Sequence, residues 1–140
     1  MDSLTTYHLT IPATTLRLAE VRSFVEKHGK EHGYSAEQMH DVRLAVDEAL
    51  TNIIKHAYEK DSTKKIDIEL EINSEKLCVT LADTGKAFKV RALKQPNVLE
   101  YARQKKRGGM GLYLIHTLMD SVDYYRKEGK NEIRMCKNRG

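Results

Sequence analysis

Apolar positions along this chain switch between two periods, and the switch points divide it into elements. Ile66-Asp-Ile-Glu-Leu-Glu-Ile72 alternates strictly, which predicts a strand with one wet face. Thr6–Ile11 alternates well enough to form a strand ended by Pro12. The period then lengthens. Leu16, Ala19, Val21, Phe24 and Val25 supply the buried stripe of a first helix, capped by Thr14 or Thr15 and running to about His32, where Gly33 breaks it. Ser35-Ala-Glu-Gln38 reads as a capping box that opens a second helix, reaching about Tyr58. Its apolar positions are Val42, Ala45, Val46, Ala49, Leu50 and Ile53. Asn73-Ser-Glu-Lys76 is a turn signal, and Leu77–Leu81 is the partner strand, stopping at Asp83-Thr-Gly85. An irregular loop follows, with Pro96 and a short helix through about Lys106. Gly108–Gly111 opens an apolar helix, Leu112–Met119, and Val122–Tyr125 and Ile133–Cys136 form a last hairpin around Glu128-Gly-Lys-Asn131.

Adjacent strands joined by short turns imply a mainly antiparallel sheet, and the helices fall to one face of it. The expected fold is a two-layer α/β sandwich, a single domain over residues 1–140 without repeats. Hydrophobic residues at 40% and charged residues at 31% are ordinary for a globular chain. No apolar run approaches the roughly 20 residues that cross a bilayer, and the first residues carry no export signal, so no membrane is expected and the reading is cytoplasmic. Cys78 and Cys136 sit apart in apolar strands and are expected as two small core thiols, not a disulfide. A net charge of +4 demands no nucleic acid, and no interleaved aromatics or zinc spacing support such a module.

Three segments carry candidate chemistry. In the second helix Glu48, Asn52 and His56 recur every fourth residue, placing a carboxylate, a carboxamide and an imidazole along one side. A carboxylate polarises a hydroxyl or water; an amide oxygen one turn away suits Mg²⁺; Lys55 and His56 reach for phosphate or sugar. The plain alternative is a solvated helix edge. In Leu81-Ala-Asp83-Thr-Gly85-Lys-Ala-Phe88, Asp83 ends an apolar strand, either as a turn residue or as a buried acceptor for an exocyclic amine, with Gly85 allowing close approach of a ring. In Arg107-Gly108-Gly109-Met110-Gly111-Leu112, glycines at a helix start follow the basic run Arg103-Gln-Lys-Lys-Arg107. They either hinge the helix or converge amides on an anion. The segment is not a P-loop, because Gly-Lys-Ser/Thr is missing.

Taken in this order and spacing, the three segments resemble the N, G1 and G2 boxes of the GHKL (Bergerat-fold) ATP-binding superfamily, over nearly the whole chain. Glu at the head of Asp47-Glu-Ala-Leu-Thr-Asn-Ile-Ile-Lys-His-Ala-Tyr58 resembles the bacterial anti-sigma-factor serine kinases of the RsbW/SpoIIAB type. So do Gly108–Ile115, Leu118-Met-Asp120 and Asn131-Glu-Ile133.

The resemblance implies ATP and Mg²⁺ as cofactors. Asn52 then holds the metal and Glu48 is the catalytic base that orients the attacking hydroxyl. Lys55 and His56 join the nucleotide site, Asp83 receives the adenine amine, and Gly85 and Phe88 lie beside it. Gly108, Gly109, Met110, Gly111 and Leu112 form the phosphate end. Residues 89–107 form a lid whose basic end, Arg107, neutralises the transferring phosphoryl group. Ala87 stands where many members carry a second glycine, which stiffens that edge of the pocket. The implied partners are a small antagonist (anti-anti-sigma) protein carrying a target serine, a sigma factor, and a second copy in a homodimer. Two readings compete with a kinase: a non-catalytic nucleotide-responsive switch that binds a partner, and a nucleotide sensor in another phospho-relay.

Overall fold

A computed structural model of the chain describes residues 3–58, 61, 63–85 and 111–139. Its elements are β1 (Thr5–Pro12), α1 (Leu18–Glu31), α2 (Ala36–Asn52), β2 (Lys65–Ile72), β3 (Lys76–Asp83), α3 (Gly111–Leu118), β4 (Ser121–Lys127) and β5 (Lys130–Asn138). The strands form one sheet in the order β1-β2-β3-β5-β4, every pair antiparallel. This is the expected α+β sandwich. The alternation in β2 becomes layering: Ile66, Ile68, Leu70 and Ile72 are buried, whereas Asp67 is exposed and Glu69 and Glu71 are half-buried. Their apolar face meets Val42, Ala45, Val46, Ala49 and Leu50 of α2 in one hydrophobic cluster, to which α1 adds Val21 and Val25 and α3 adds Ile115. Among the described residues no helix is long and apolar enough to cross a membrane.

Start and stop signals act as expected at α2. Ser35 Oγ accepts from the Gln38 amide at 3.1 Å, and Gln38 Oε1 accepts from the Ser35 amide at 2.9 Å, closing the capping box. Gly33, at φ 85°, ends α1 in the left-handed conformation, and the Tyr34 amide reaches back to the Gly29 carbonyl at 3.0 Å.

Three expectations change. Thr14 caps a 3₁₀ turn over Thr15–Arg17, and α1 begins only at Leu18. That tighter turn shifts the phase of the stripe, so Leu16 is 87% exposed and Ala19 is exposed, while Leu18, Val21, Phe24 and Val25 face the core. The second helix does not stay α to Tyr58. After Asn52 it opens into a π turn, Ile53–Ala57, closed by the Tyr58 amide on the Ile53 carbonyl at 2.9 Å. Finally, Cys78 and Cys136 are joined as a disulfide. They are 58 residues apart in sequence but stand opposite each other in the β3–β5 register, a pairing that chain order alone does not reveal.

Candidate functional site

The site grows from the end of β3 and the end of α2. Burial of Leu77, Val79 and Leu81 on the helix side carries Asp83 inward on the same face, two residues further along the strand. Asp83 is 3% exposed. Its Oδ1 accepts from the Gly85 amide at 2.8 Å and from Asn131 Nδ2 at 2.9 Å. Asn131 is fully buried and lies directly opposite Asp83 in the β3–β5 ladder. Arg126, opposite Asn131 on β4, donates through Nη1 to Asn131 Oδ1 at 2.9 Å and to the Gly85 carbonyl at 3.1 Å. Among the described residues only Oδ1 of Asp83 is engaged, which leaves Oδ2 as an acceptor.

Burial pushes the Asp83 carboxyl above the usual carboxylate range. The bonds from Asn131 and Gly85 and the charge of Arg126 pull it part of the way back. Asp83 is thus held by two donors at the end of a buried strand, one more than the Gly85 bond that a simple turn supplies.

Tyr58 links this corner to α2. Its ring is 6% exposed; its hydroxyl donates to the Lys65 carbonyl at 2.7 Å and accepts from the Thr84 amide at 2.8 Å. The π turn delivers Tyr58 to that position, and Thr84 lies between Asp83 and Gly85, so one side chain fixes the end of the helix to the loop. On α2, Glu48 and Asn52 are half-buried, one turn apart, beside the buried Ala45, Ala49 and Leu50. Asp47, next to Glu48, is committed elsewhere: Arg22 of α1 grips both its oxygens, Nε at 2.8 and 3.1 Å and Nη2 at 2.8 Å.

Of the three residues spaced four apart, Glu48 and Asn52 lie within the regular part of α2. His56 falls inside the π turn, where the extra residue per turn shifts its backbone position around the axis relative to α spacing. Its side chain lies outside the described residues, as does that of Leu112. Lys55 is exposed. Gly111 opens α3. Phe88, the lid with Arg107, and Gly108, Gly109 and Met110 lie outside the described residues. Sequence reasoning did not assign Arg126, Asn131 or the Tyr58 hydroxyl to the site. Asn131 sits in a turn signal, and its role appears only once β3 and β5 are known to be neighbours.

The donor set fits the implied nucleotide. A purine amine needs an anchored carboxylate with a spare oxygen, and Asp83 has one. Magnesium keeps most of its waters and takes few protein ligands, so the Asn52 carboxamide is a suitable single donor. Among the described residues no cluster of three histidine, cysteine or carboxylate side chains forms a protein-only metal cage.

Comparison with known proteins agrees with this architecture. Residues 11–137 match the histidine kinase-like ATPase domain family. The serine-protein kinase RsbW of Listeria innocua is 41% identical over 105 residues, spanning 72% of this chain and 67% of the relative. RsbW of Bacillus mycoides is 30% identical over 133 residues, spanning 92% and 82%. Among solved structures, a chain of the SiaB–SiaC complex from Pseudomonas aeruginosa superposes with a TM-score of 0.73 at 16% identity, over 96% of this chain and 89% of that one. The RsbU and RsbW domains of a Mycobacterium tuberculosis protein give 0.67 at 17% identity, over 95% of this chain and 32% of that one. These two share the fold. The chain belongs to the histidine kinase-like ATPase domain family, on its GHKL anti-sigma kinase branch of the RsbW type.

Proposed function

We propose that this protein is an ATP-dependent protein-serine kinase that phosphorylates a small antagonist protein, and an anti-sigma factor that sequesters a sigma subunit when that antagonist is phosphorylated. It works as a homodimer in the bacterial cytoplasm. The observation that carries the reading is the anchored Asp83 carboxylate, tied through Tyr58 to the helix bearing Glu48 and Asn52.

Asp83 accepts the adenine amine on Oδ2 while Asn131 and Gly85 hold Oδ1. Asn52 supplies the protein oxygen for Mg²⁺, with Lys55 and His56 toward the sugar and phosphates. Phe88, Met110 and Leu112 complete the nucleotide pocket. The phosphates fall to Gly108, Gly109 and Gly111, of which Gly111 opens α3, where the helix dipole favours negative charge. Mg²⁺, when bound, spreads the charge of the phosphates. Glu48 takes the proton of the target serine as the serine oxygen bonds to the γ-phosphorus of ATP and the bond from that phosphorus to the β-phosphate oxygen breaks, releasing ADP, and Arg107 neutralises charge on the transferring group. Such transfer depends on positioning and electrostatics, which these residues provide without a covalent enzyme intermediate. Phosphate adds up to about two negative charges to the antagonist, enough to break a fitted contact and return this protein to its sigma partner.

Glu48→Ala tests the catalytic step. Phosphoserine on the antagonist, read by mass spectrometry after incubation with ATP, should disappear in the variant while ATP binding is retained. Transfer at the wild-type rate would remove Glu48 from the role, and no transfer by either protein would favour a partner-binding switch.

A further inference from the structure

Along β5 the positions that share the helix side of the sheet are Asn131, Ile133, Met135 and Lys137, opposite Asp83, Leu81, Val79 and Leu77 of β3. Ile133 and Met135 are buried, as the alternation requires. Lys137 breaks the row, because an ammonium stands where the pattern asks for an apolar side chain. That side chain is only 17% exposed, and lysine is almost never buried without partners. Its Nζ donates to the Leu118 carbonyl of α3 at 2.7 Å and to Asp41 Oδ2 of α2 at 3.3 Å. One side chain of β5 therefore joins two helices.

Stability alone does not account for a lysine here. Well-packed apolar side chains in place of a buried ion pair are often neutral or stabilising. What the ammonium supplies is a fixed geometry at the C-terminal end of α3, where its charge also complements the helix dipole. With eight residues, α3 is about 12 Å long, so a displacement at Leu118 is carried along a short rigid rod to Gly111. Asp41 lies on the helix that bears Glu48 and Asn52. Just past α3, the Asp120 amide donates to the Cys136 carbonyl at 2.9 Å, and Asp120 Oδ2 accepts from the Asn138 amide at 2.6 Å. These bonds keep the chain on β5 without Lys137, so its removal relaxes the set of α3 against α2 and does not unfold the helix.

We infer that Lys137 is a positioning residue for the phosphates of ATP, holding α3 against α2 so that Gly111, at the opposite end of α3, keeps a set distance from Asn52. This rests on the proposed nucleotide site, which gives the phosphates to the start of α3 and the metal to Asn52. Lys137 acts through α3 and not by touching the ligand. The base end of that site depends on neither, because Asp83 is held by Gly85 and Asn131. Loss of Lys137 therefore weakens the grip on the phosphates and leaves the grip on adenosine as it was.

The test uses the full chain as wild type, Lys137→Met, Lys137→Gln, Lys137→Arg and Asp41→Ala. The first readout needs no nucleotide: amide hydrogen exchange in α3 relative to α2. The Met119 amide, which donates to the Ile115 carbonyl at 3.1 Å, reports the last turn. Its exchange should quicken by about tenfold relative to α2 in the Met and Gln variants, the worth of one charge-assisted hydrogen bond. Lys137→Arg keeps the charge and the donors and should restore most of the protection. The second readout is binding of ATP with Mg²⁺ by calorimetry and of adenosine by NMR titration, which follows weak affinities. ATP affinity should fall by about tenfold in Lys137→Met with adenosine affinity unchanged, and recover in Lys137→Arg. Asp41→Ala should act in the same direction, and adding it to Lys137→Met should change nothing further.

Unchanged exchange in α3 of a folded Met or Gln variant overturns the proposal. So does an unchanged ATP affinity, or a fall for adenosine that matches the fall for ATP, which is what general loosening of the fold produces. If α3 exchanges faster but wild type binds neither ligand, the proposed nucleotide site is wrong and the positioning role falls with it. If wild type binds ATP and the variants bind it equally well, only the positioning role falls. Should Lys137→Met fail to fold, Lys137→Gln carries the test.

Discussion

Replacing Tyr58 by phenylalanine removes one oxygen atom and keeps the ring in its buried place. That oxygen donates to the Lys65 carbonyl at 2.7 Å and accepts from the Thr84 amide at 2.8 Å. Its third contact, 3.3 Å from Thr84 Oγ1, adds little because Thr84 is exposed and its hydroxyl can turn to water. At about 1 kcal/mol net for each lost bond, the variant should be roughly 2 kcal/mol less stable. For a chain of 140 residues, an unfolding entropy of about 2.1 cal/mol/K per residue converts this into a fall of about 7 °C in melting temperature. The functional effect follows from where Thr84 sits. Freeing its amide loosens the loop between Asp83 and Gly85, and ATP affinity should drop about fivefold, the equivalent of one bond. Scanning calorimetry reads the first quantity and isothermal titration the second. A melting temperature within about 2 °C of wild type, together with unchanged affinity, would refute the clamp.

Asp83→Asn should abolish ATP binding and yet stabilise the fold at neutral pH. Burial raises the carboxyl in the folded state above its value of 3.8 in the unfolded chain. Its contribution to stability is therefore fully present below that unfolded value and is lost as pH rises through the folded one. Urea midpoints should favour the variant at about pH 7 and converge with wild type near pH 4, and a variant that is less stable at neutral pH would contradict the assignment. Reduction of Cys78–Cys136 releases a loop of 58 residues, which the chain-entropy relation values at about 4 kcal/mol. Urea unfolding with and without a dithiol should show that loss in wild type and no redox dependence in Cys136→Ser; an identical midpoint in both conditions would show that the bridge does not constrain the unfolded chain.

The periodic parts of the fold were legible because single elements declare themselves locally. Strict alternation from Ile66 to Ile72 and the Ser35–Gln38 capping box each depend on residues within one turn or strand. What escaped depends on contacts between distant segments or on departures from ideal helix geometry. Leu16 looked buried because an α period was extended back through what is a 3₁₀ turn. His56 looked aligned with Asn52 because nothing in Ile53–Ala57 announces a π turn; Tyr58, pulled toward Lys65 and Thr84, is where that turn ends. Cys78–Cys136 and Asp83–Asn131 are two pairs of one β3–β5 ladder, and α3 and β4 lie between those two strands in the chain. The same blindness that left Asn131 in a turn also left the cysteines unpaired. Glu48, Asn52 and Asp83 stand out as candidates because their types conflict with the apolar pattern around them, a signal that needs no tertiary knowledge.

A nucleotide site shared between the end of α2 and the end of β3 must bind ATP through both elements. Isothermal titration of ATP with Mg²⁺ into wild type and Asn52→Ala reads this out. Metal-dependent binding is expected in wild type and should be lost or greatly weakened in Asn52→Ala. Wild type that fails to bind ATP, or a variant that binds it with undiminished metal dependence, would contradict the claim.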